Sequence, residues 1–288
     1  MGRSAFRKHT FVRLFSVWLA AVLLCLVVSG CAEVPLTHRM SLQLLPDSQL
    51  MAMGLQEYSK VLRQSKLSED RERVEMVRRV GGGIAAAAEA FLKESGQGEQ
   101  IKEYRWEFNL IEDDKTVNAW CMPGGKVAVY TGILPVTRDE TGLAVVMGHE
   151  VAHALANHGN ERMSQALLAT MGEVALAVAL RDRPGQTRNL FLTAFGVGAG
   201  VGILLPYSRI HESEADRIGL MLMARAGYDP REAIPFWERM NEQGGSSPPE
   251  FLSTHPAPAS RIQALRSHIP EAMQYYRPTQ STGKKRSS

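Results

Sequence analysis

The chain of 288 residues is 44% hydrophobic and 22% charged, the make-up of an ordinary folded protein with length for one sizeable core and no internal repeat. Its 33 basic residues exceed its 30 acidic ones only because Arg3, Arg7, Lys8 and Arg13 stand at the start; beyond residue 30 the balance is 29 to 30, which excludes nucleic-acid binding through a basic surface. Three cysteines, one of them within the first 30 residues, exclude a disulfide framework.

The leading basic residues precede an apolar run over 14–28 and then Ser29-Gly30-Cys31. This pattern predicts a secretory signal peptide over 1–30 that ends in something resembling a bacterial lipoprotein box, with Cys31 as the lipidation site and a lipid as the membrane attachment. A retained transmembrane anchor is the alternative, for which the run is short. Residues 31–47 read as a tether from the lipid. Helical patterns follow at 47–63 and 69–93, the second interrupted by Gly81-Gly82-Gly83, where helices would pack closely.

A short β region spans 104–131. Residues 126–131 are rich in β-formers, and Asn118-Ala119-Trp120 ahead of Pro123-Gly124-Gly125 reads as the hairpin partner. Cys121 is expected to be packed rather than reactive. Thr137-Arg138-Asp139-Glu140 then offers a capping box for a half-buried helix marked by Leu143, Val146, Met147, Val151 and Leu155.

That helix carries His149-Glu150-Val151-Ala152-His153. Residues four apart on a helix lie about 40° apart around its axis, so His149 and His153 share a face and can grip one metal ion, with Glu150 beside them as a base. The plainer alternative is a pair of core histidines that only hydrogen-bond. A metzincin would need Gly and His where Ala156 and Gly159 stand, so that class is excluded. His158 lies on the far side of a continued helix and reads as a polar surface or helix-end residue. Two apolar stretches follow, 166–180 and 190–205, which suggest a mobile helical hairpin or lid over 164–206; insertion of this hairpin into lipid is the alternative. The next helix, from Ser208 towards Gly227, places Glu212 and Asp216 on one face with Glu214 nearly opposite. Glu212 can then ligate the metal while Asp216 orients a ligand imidazole through its free N–H. An acidic face paired with Arg209 and Arg217 is the alternative. Near the end, Thr254-His255-Pro256 opens a proline-stiffened loop to Arg261, and a basic tail over 273–288 reads as a disordered end.

The His-Glu-Val-Ala-His helix, the Glu212–Asp216 helix, the Asn118–Gly125 segment and Ser253-Thr254-His255-Pro256 together resemble gluzincin metallopeptidases of the family that includes the membrane HtpX-like proteases and CAAX prenyl proteases. The likeness is greatest to the periplasmic bacterial lipoprotein members. The resemblance implies an α+β, predominantly helical fold: a zincin-like metallopeptidase domain over 48–272 with a small β-sheet and the HExxH helix at its active site. It implies one zinc ion per chain, held by His149, His153 and Glu212, with Glu150 as general base and Asp216 in support. Asn118 and Ala119 would belong to an edge strand that holds extended substrate. His255 and Arg261 would lie near the zinc and stabilise the oxyanion; alternatively His255 would occupy the metal's open position and hold the enzyme latent.

The function so implied is a zinc endopeptidase facing the periplasm from the outer membrane, cutting extended or misfolded envelope proteins, with outer-membrane assembly machinery as a candidate partner. The competing class is a lipoprotein chaperone or assembly scaffold that holds clients without cutting. Glu150 argues against pure holding, which needs no base.

Overall fold

The computed structural model describes residues 30–278 apart from 182, 184, 187–188, 190, 194–204, 244–248 and 257–258, and the backbone alone at 205–208. The leader, most of the second apolar stretch and the extreme tail therefore lie outside the described residues.

The chain first forms a hairpin of β1 (Cys31–Glu33) and β2 (Met40–Leu42), then α1 (Asp47–Gln64) and α2 (Arg71–Glu94). Residues 31–47, expected as a tether, are packed: Val34 and Ser41 are buried, and the Leu44 N–H donates to Ser164 Oγ at 2.9 Å. Asp70 caps α2 by accepting from the Arg73 N–H at 3.1 Å. The helix runs unbroken through Gly81–Gly83, contrary to the expected interruption. A Cβ on Gly81 would stand 2.3 Å from the Phe108 ring, so this glycine lets the helix pack on a strand.

After the short α3 (Gly98–Ile101), strands β3 (Glu107–Ile111), β4 (Ala119–Met122) and β5 (Lys126–Tyr130) form one sheet in the order β3-β5-β4. β5 is central, parallel to β3 and antiparallel to β4. Gly124 and Gly125, at φ +85° and +82°, make the hairpin turn that L side chains disfavour. The period of two sorts the sheet's faces. Leu110, Ala119, Val127 and Val129 join the main core, whereas Ile111, Ala128, Trp120 and Tyr130 form a smaller cluster with Tyr58 of α1.

A single turn, α4 (Leu134–Thr137), precedes α5 (Glu140–Leu155). The expected capping box is not used: Asp139 is the cap, accepting from the N–H groups of Thr141 and Gly142 at 2.9 and 3.0 Å, while Thr137 closes α4. Nor is α5 half-buried. It runs through the core, with Gly142 to His153 all buried among α2, β4 and α7 (Leu205–Arg225). α5 and α7 touch through glycines: a Cβ on Gly219 would lie 2.9 Å from the His149 backbone nitrogen. That contact brings the two motif-bearing helices together.

Between them α6 (His158–Ala179) leaves the body with Leu167, Met171, Val174 and Val178 exposed. None of the described helices is long and apolar enough to cross a membrane. The chain ends with α8 (Ala233–Glu242), α9 (Glu250–Thr254) and α10 (Ala259–Met273). Packing continues past the expected start of the tail, since Tyr275 carries the Arg225 guanidinium over its ring at 4.5 Å.

Candidate metal centre

One turn of α5 brings His149 Nε2 and His153 Nε2 to 3.1 Å. From α7, the Glu212 carboxylate lies 3.4 Å from each of those nitrogens. His255, at the C-terminal end of α9, adds Nδ1 at 3.3 Å from His149 Nε2 and at 3.0 and 3.1 Å from the two Glu212 oxygens. All four residues are buried, and their donor atoms lie within 4.8 Å of one another. Zinc bonds of about 2.0–2.1 Å to nitrogen and oxygen make the edges of a tetrahedron about 3.3 Å long. The separations of 3.0–3.4 Å that His149 and Glu212 make with each other and with His153 and His255 match those edges, so the set fits a zinc-sized ion in chemistry and in spacing.

Glu150 points into the same space. Its Oε1 is buried without a hydrogen-bond partner; His255 Nε2 is 3.3 Å away but out of hydrogen-bond alignment. Burial pushes the Glu150 carboxyl above its ordinary range, with Glu212 adding to the effect against the pull of His255 and His149. A carboxylate so raised holds a proton more readily than an exposed one, as a group that must accept a proton and pass it on requires.

The ligand candidates are tuned unequally. Burial disfavours a charged His149, yet bonds to Asp216 and Glu212 outweigh it and raise the ring to about 9. Burial pushes His153 well below the usual histidine range despite Glu212. Glu212 is held far below the carboxylate range because its bonds with His149, His153 and His255 overcome burial. Protons and a divalent cation compete for the same atoms.

Asp216 Oδ1 lies 3.1 Å from His149 Nδ1, the placement expected of a residue that orients this ring. Arg261 grips Asp216 through Nε and Nη2 at 2.7 Å each, approaches Glu212 at 3.0 Å and lies over the Trp237 ring at 3.9 Å. The guanidinium is therefore committed behind the ligands rather than open to an oxyanion. Arg217, the alternative partner for this acidic face, pairs instead with Glu271 at 2.8 Å.

His158 is not the surface residue expected. The helix stops at Leu155, Asn157 takes a left-handed conformation at φ +55°, and α6 starts afresh. His158 thereby folds back, fully buried, with Nδ1 2.8 Å from His153 Nδ1 and Nε2 3.2 Å from Glu214 Oε2. Its fifth-residue spacing from His153 was the only sequence signal, and it required knowing where the helix breaks.

Asn118 and Ala119 are both buried, and the Ala119 N–H donates to Asn118 Oδ1 at 2.9 Å. β4 packs beside α5 and is an outer strand of its sheet. Cys121 is packed there, its thiol pushed up by burial. Beyond this strand, Met122, Leu50, Met53, Met163 and His153 border a largely apolar hollow of about 280 Å³ that Glu57, Asn157 and Arg162 also line.

A buried HExxH helix crossed by a second helix bearing the carboxylate ligand is the arrangement of a gluzincin-type metal domain. Residues 81–269 match the family model described as Peptidase family M48, and the chain belongs to that family. It is similar to the mitochondrial metalloendopeptidase OMA1 of Schizosaccharomyces pombe, 42% identical over 60% of this chain and 49% of that protein. The human metalloendopeptidase OMA1 is 33% identical over 60% of this chain and 34% of its own length. The β-barrel assembly-enhancing protease of Escherichia coli is 32% identical over 56% of this chain and 34% of its own length. The chain thus spans about half or less of the relatives it matches.

These likenesses correct the expected address. The periplasm-facing outer-membrane assignment rested on the leader with its lipoprotein-like box at Cys31 and on closeness to periplasmic bacterial members, whereas the mitochondrial relatives match at up to 42% identity and the Escherichia coli protein at 32%.

Proposed function

We propose that the protein is a zinc-dependent endopeptidase that cuts extended or misfolded protein chains, with one zinc ion per chain held by His149, His153 and Glu212. The observation that carries this reading is Glu150, a buried carboxylate with an unpartnered oxygen beside four converging metal donors. A pair of structural core histidines has no need of such a neighbour, and neither has a cleft that only holds clients.

Zinc bound there would supply a Lewis acid that acidifies water and polarises the scissile carbonyl. Glu150 takes the proton of the attacking water and passes it to the leaving amine. Asp216 holds His149 in one tautomer through Nδ1, and Arg261 holds Asp216 and Glu212 in place. Substrate lies extended beside β4, reached near Asn118 and Ala119, and a large apolar side chain enters the hollow lined by Met53, Met122 and Met163. Cys31, exposed at the start of β1, is the proposed lipid attachment that would keep the domain at a membrane.

His255 stands among the donors rather than beside them, which favours the capping role over oxyanion assistance. His255→Ala is expected to raise turnover several-fold; a fall would assign it to transition-state stabilisation. The peptidase reading itself is tested by incubating the protein with an unfolded chain such as reduced casein. Cleavage should stop on chelation and return with added zinc; cleavage indifferent to chelator would overturn it.

A further inference from the structure

On the side of His153 away from the cluster, four polar or charged side chains, His158 and Glu161 of α6 and His211 and Glu214 of α7, are buried together. Glu161 of α6 and Glu214 of α7 each lie within hydrogen-bond reach of a histidine. His211 Nε2 is 2.9 Å from Glu161 Oε2, and His158 Nε2 is 3.2 Å from Glu214 Oε2. The two imidazoles stack at 4.3 Å between centroids, 21° from parallel. Between the carboxylates sits Arg39, which reaches in from the loop between β1 and β2. It donates to Glu161 through Nη1 and Nη2 at 2.8 and 2.7 Å and to Glu214 through Nε at 2.8 Å. Thr37 of the same loop donates to Glu214 Oε1.

The direction of the hydrogen bonds follows from the metal site. His153 offers Nε2 to the donor cluster, so the proton on its ring sits on Nδ1, which must donate to His158 Nδ1 at 2.8 Å. His158 is then the tautomer with its proton on Nε2, which donates to Glu214. A carboxylate stripped of its partner would be costly at this depth, since the Glu161 and Glu214 side chains are 1% and 7% exposed. Arg39 supplies that partner to both at once. Arg39 thus bonds directly to α6 and α7, and reaches α5, which carries His149 and His153, through Glu214 and His158.

We propose that the N-terminal hairpin is a working part of the metal centre: Arg39, through Glu214, and His158 are positioning residues that fix the orientation of His153 and so set metal affinity. The proposal rests on the metal-site reading above. It joins the segment next to Cys31 to the ligand set through one continuous chain of bonds. A hairpin drawn off the body would release Arg39, turn His158 and loosen His153, so the centre is complete only while this segment is seated.

The test uses the full chain loaded with cobalt(II), whose visible absorption reports ligand geometry, and zinc affinity measured by competition with a chromophoric chelator. His158→Phe keeps the stacking on His211 and removes the bond to His153. It is expected to weaken metal binding 10- to 100-fold and to alter the cobalt band while the chain stays folded by circular dichroism. Arg39→Met is expected to do the same, and Arg39→Lys to fall between it and wild type because one point charge replaces the fork. Thr37→Val, which removes only one bond to Glu214, guards against a hairpin that fails to fold and should show the smallest loss. Wild-type cobalt uptake with affinities within twofold and identical spectra across the variants would overturn the inference alone. A wild-type chain that binds neither metal would overturn the metal site and the inference together.

Discussion

The two histidines of α5 are held by two supports that use the same chemistry in different ways. His149 is met directly by Asp216, which Arg261 grips from α10. His153 is met by a relay, His158 then Glu214, which Arg39 grips from the N-terminal hairpin. Each support ends in a guanidinium and places a buried carboxylate between it and the imidazoles. The difference is where the cation comes from. One arm closes within the C-terminal half of the chain; the other closes only when the first strands have docked.

That difference can be broken from several sides. The broadest effect, felt by both arms at once, is expected at the shared crossing. Gly219→Ala would push a methyl to within 2.9 Å of the His149 backbone and 3.0 Å of Gly148, and neither helix can yield without moving both arms. Overpacking of this kind costs about 1–3 kcal/mol, to be read as a fall in thermal midpoint accompanied by loss of metal. The largest loss of stability, confined to one arm, is expected from Arg261→Met, which strands Asp216 in the core; losing one partner of a buried pair costs about 3–5 kcal/mol. Denaturant unfolding should show Arg261→Met to be more harmful than Arg39→Met, because Arg39 is the more exposed cation.

The smallest effect concerns acid. Burial would raise Glu161 and Glu214, but bonds from Arg39 and from the histidines hold both at about 2, below their ordinary value of 4.5. Groups whose folded values are depressed add stability that is complete above 4.5 and disappears as pH falls towards 2. Wild-type stability should therefore decline across that window, and Arg39→Met should flatten the decline.

The same contrast explains how much could be foreseen. The arm around His149 was legible because helical spacing alone places Glu212 and Asp216 on one face, and the two helices were each marked by their own motif. The sheet was legible through its β-formers and the glycine turn. His158 was not, because its position depends on a left-handed Asn157 that ends one helix and starts another. Arg39 was still less visible: it meets Glu161 across 122 positions of sequence, and no periodicity connects a loop arginine to a distant helix. The all-round burial of α5 was hidden for a related reason, since a helix covered by α2, β4 and α7 still shows an apolar stripe among small residues. Residues that act through neighbours of their own element can be read from pattern; those supplied by docking must await the fold.

Glu150→Gln offers the most direct test, with zinc content and cleavage of an unfolded protein measured on the same sample. A full zinc equivalent with cleavage reduced about 10²- to 10⁴-fold is the expected result, because the amide keeps the shape of the site and cannot take the proton. Undiminished cleavage at full zinc occupancy would contradict Glu150 as the base and the peptidase centre built around it.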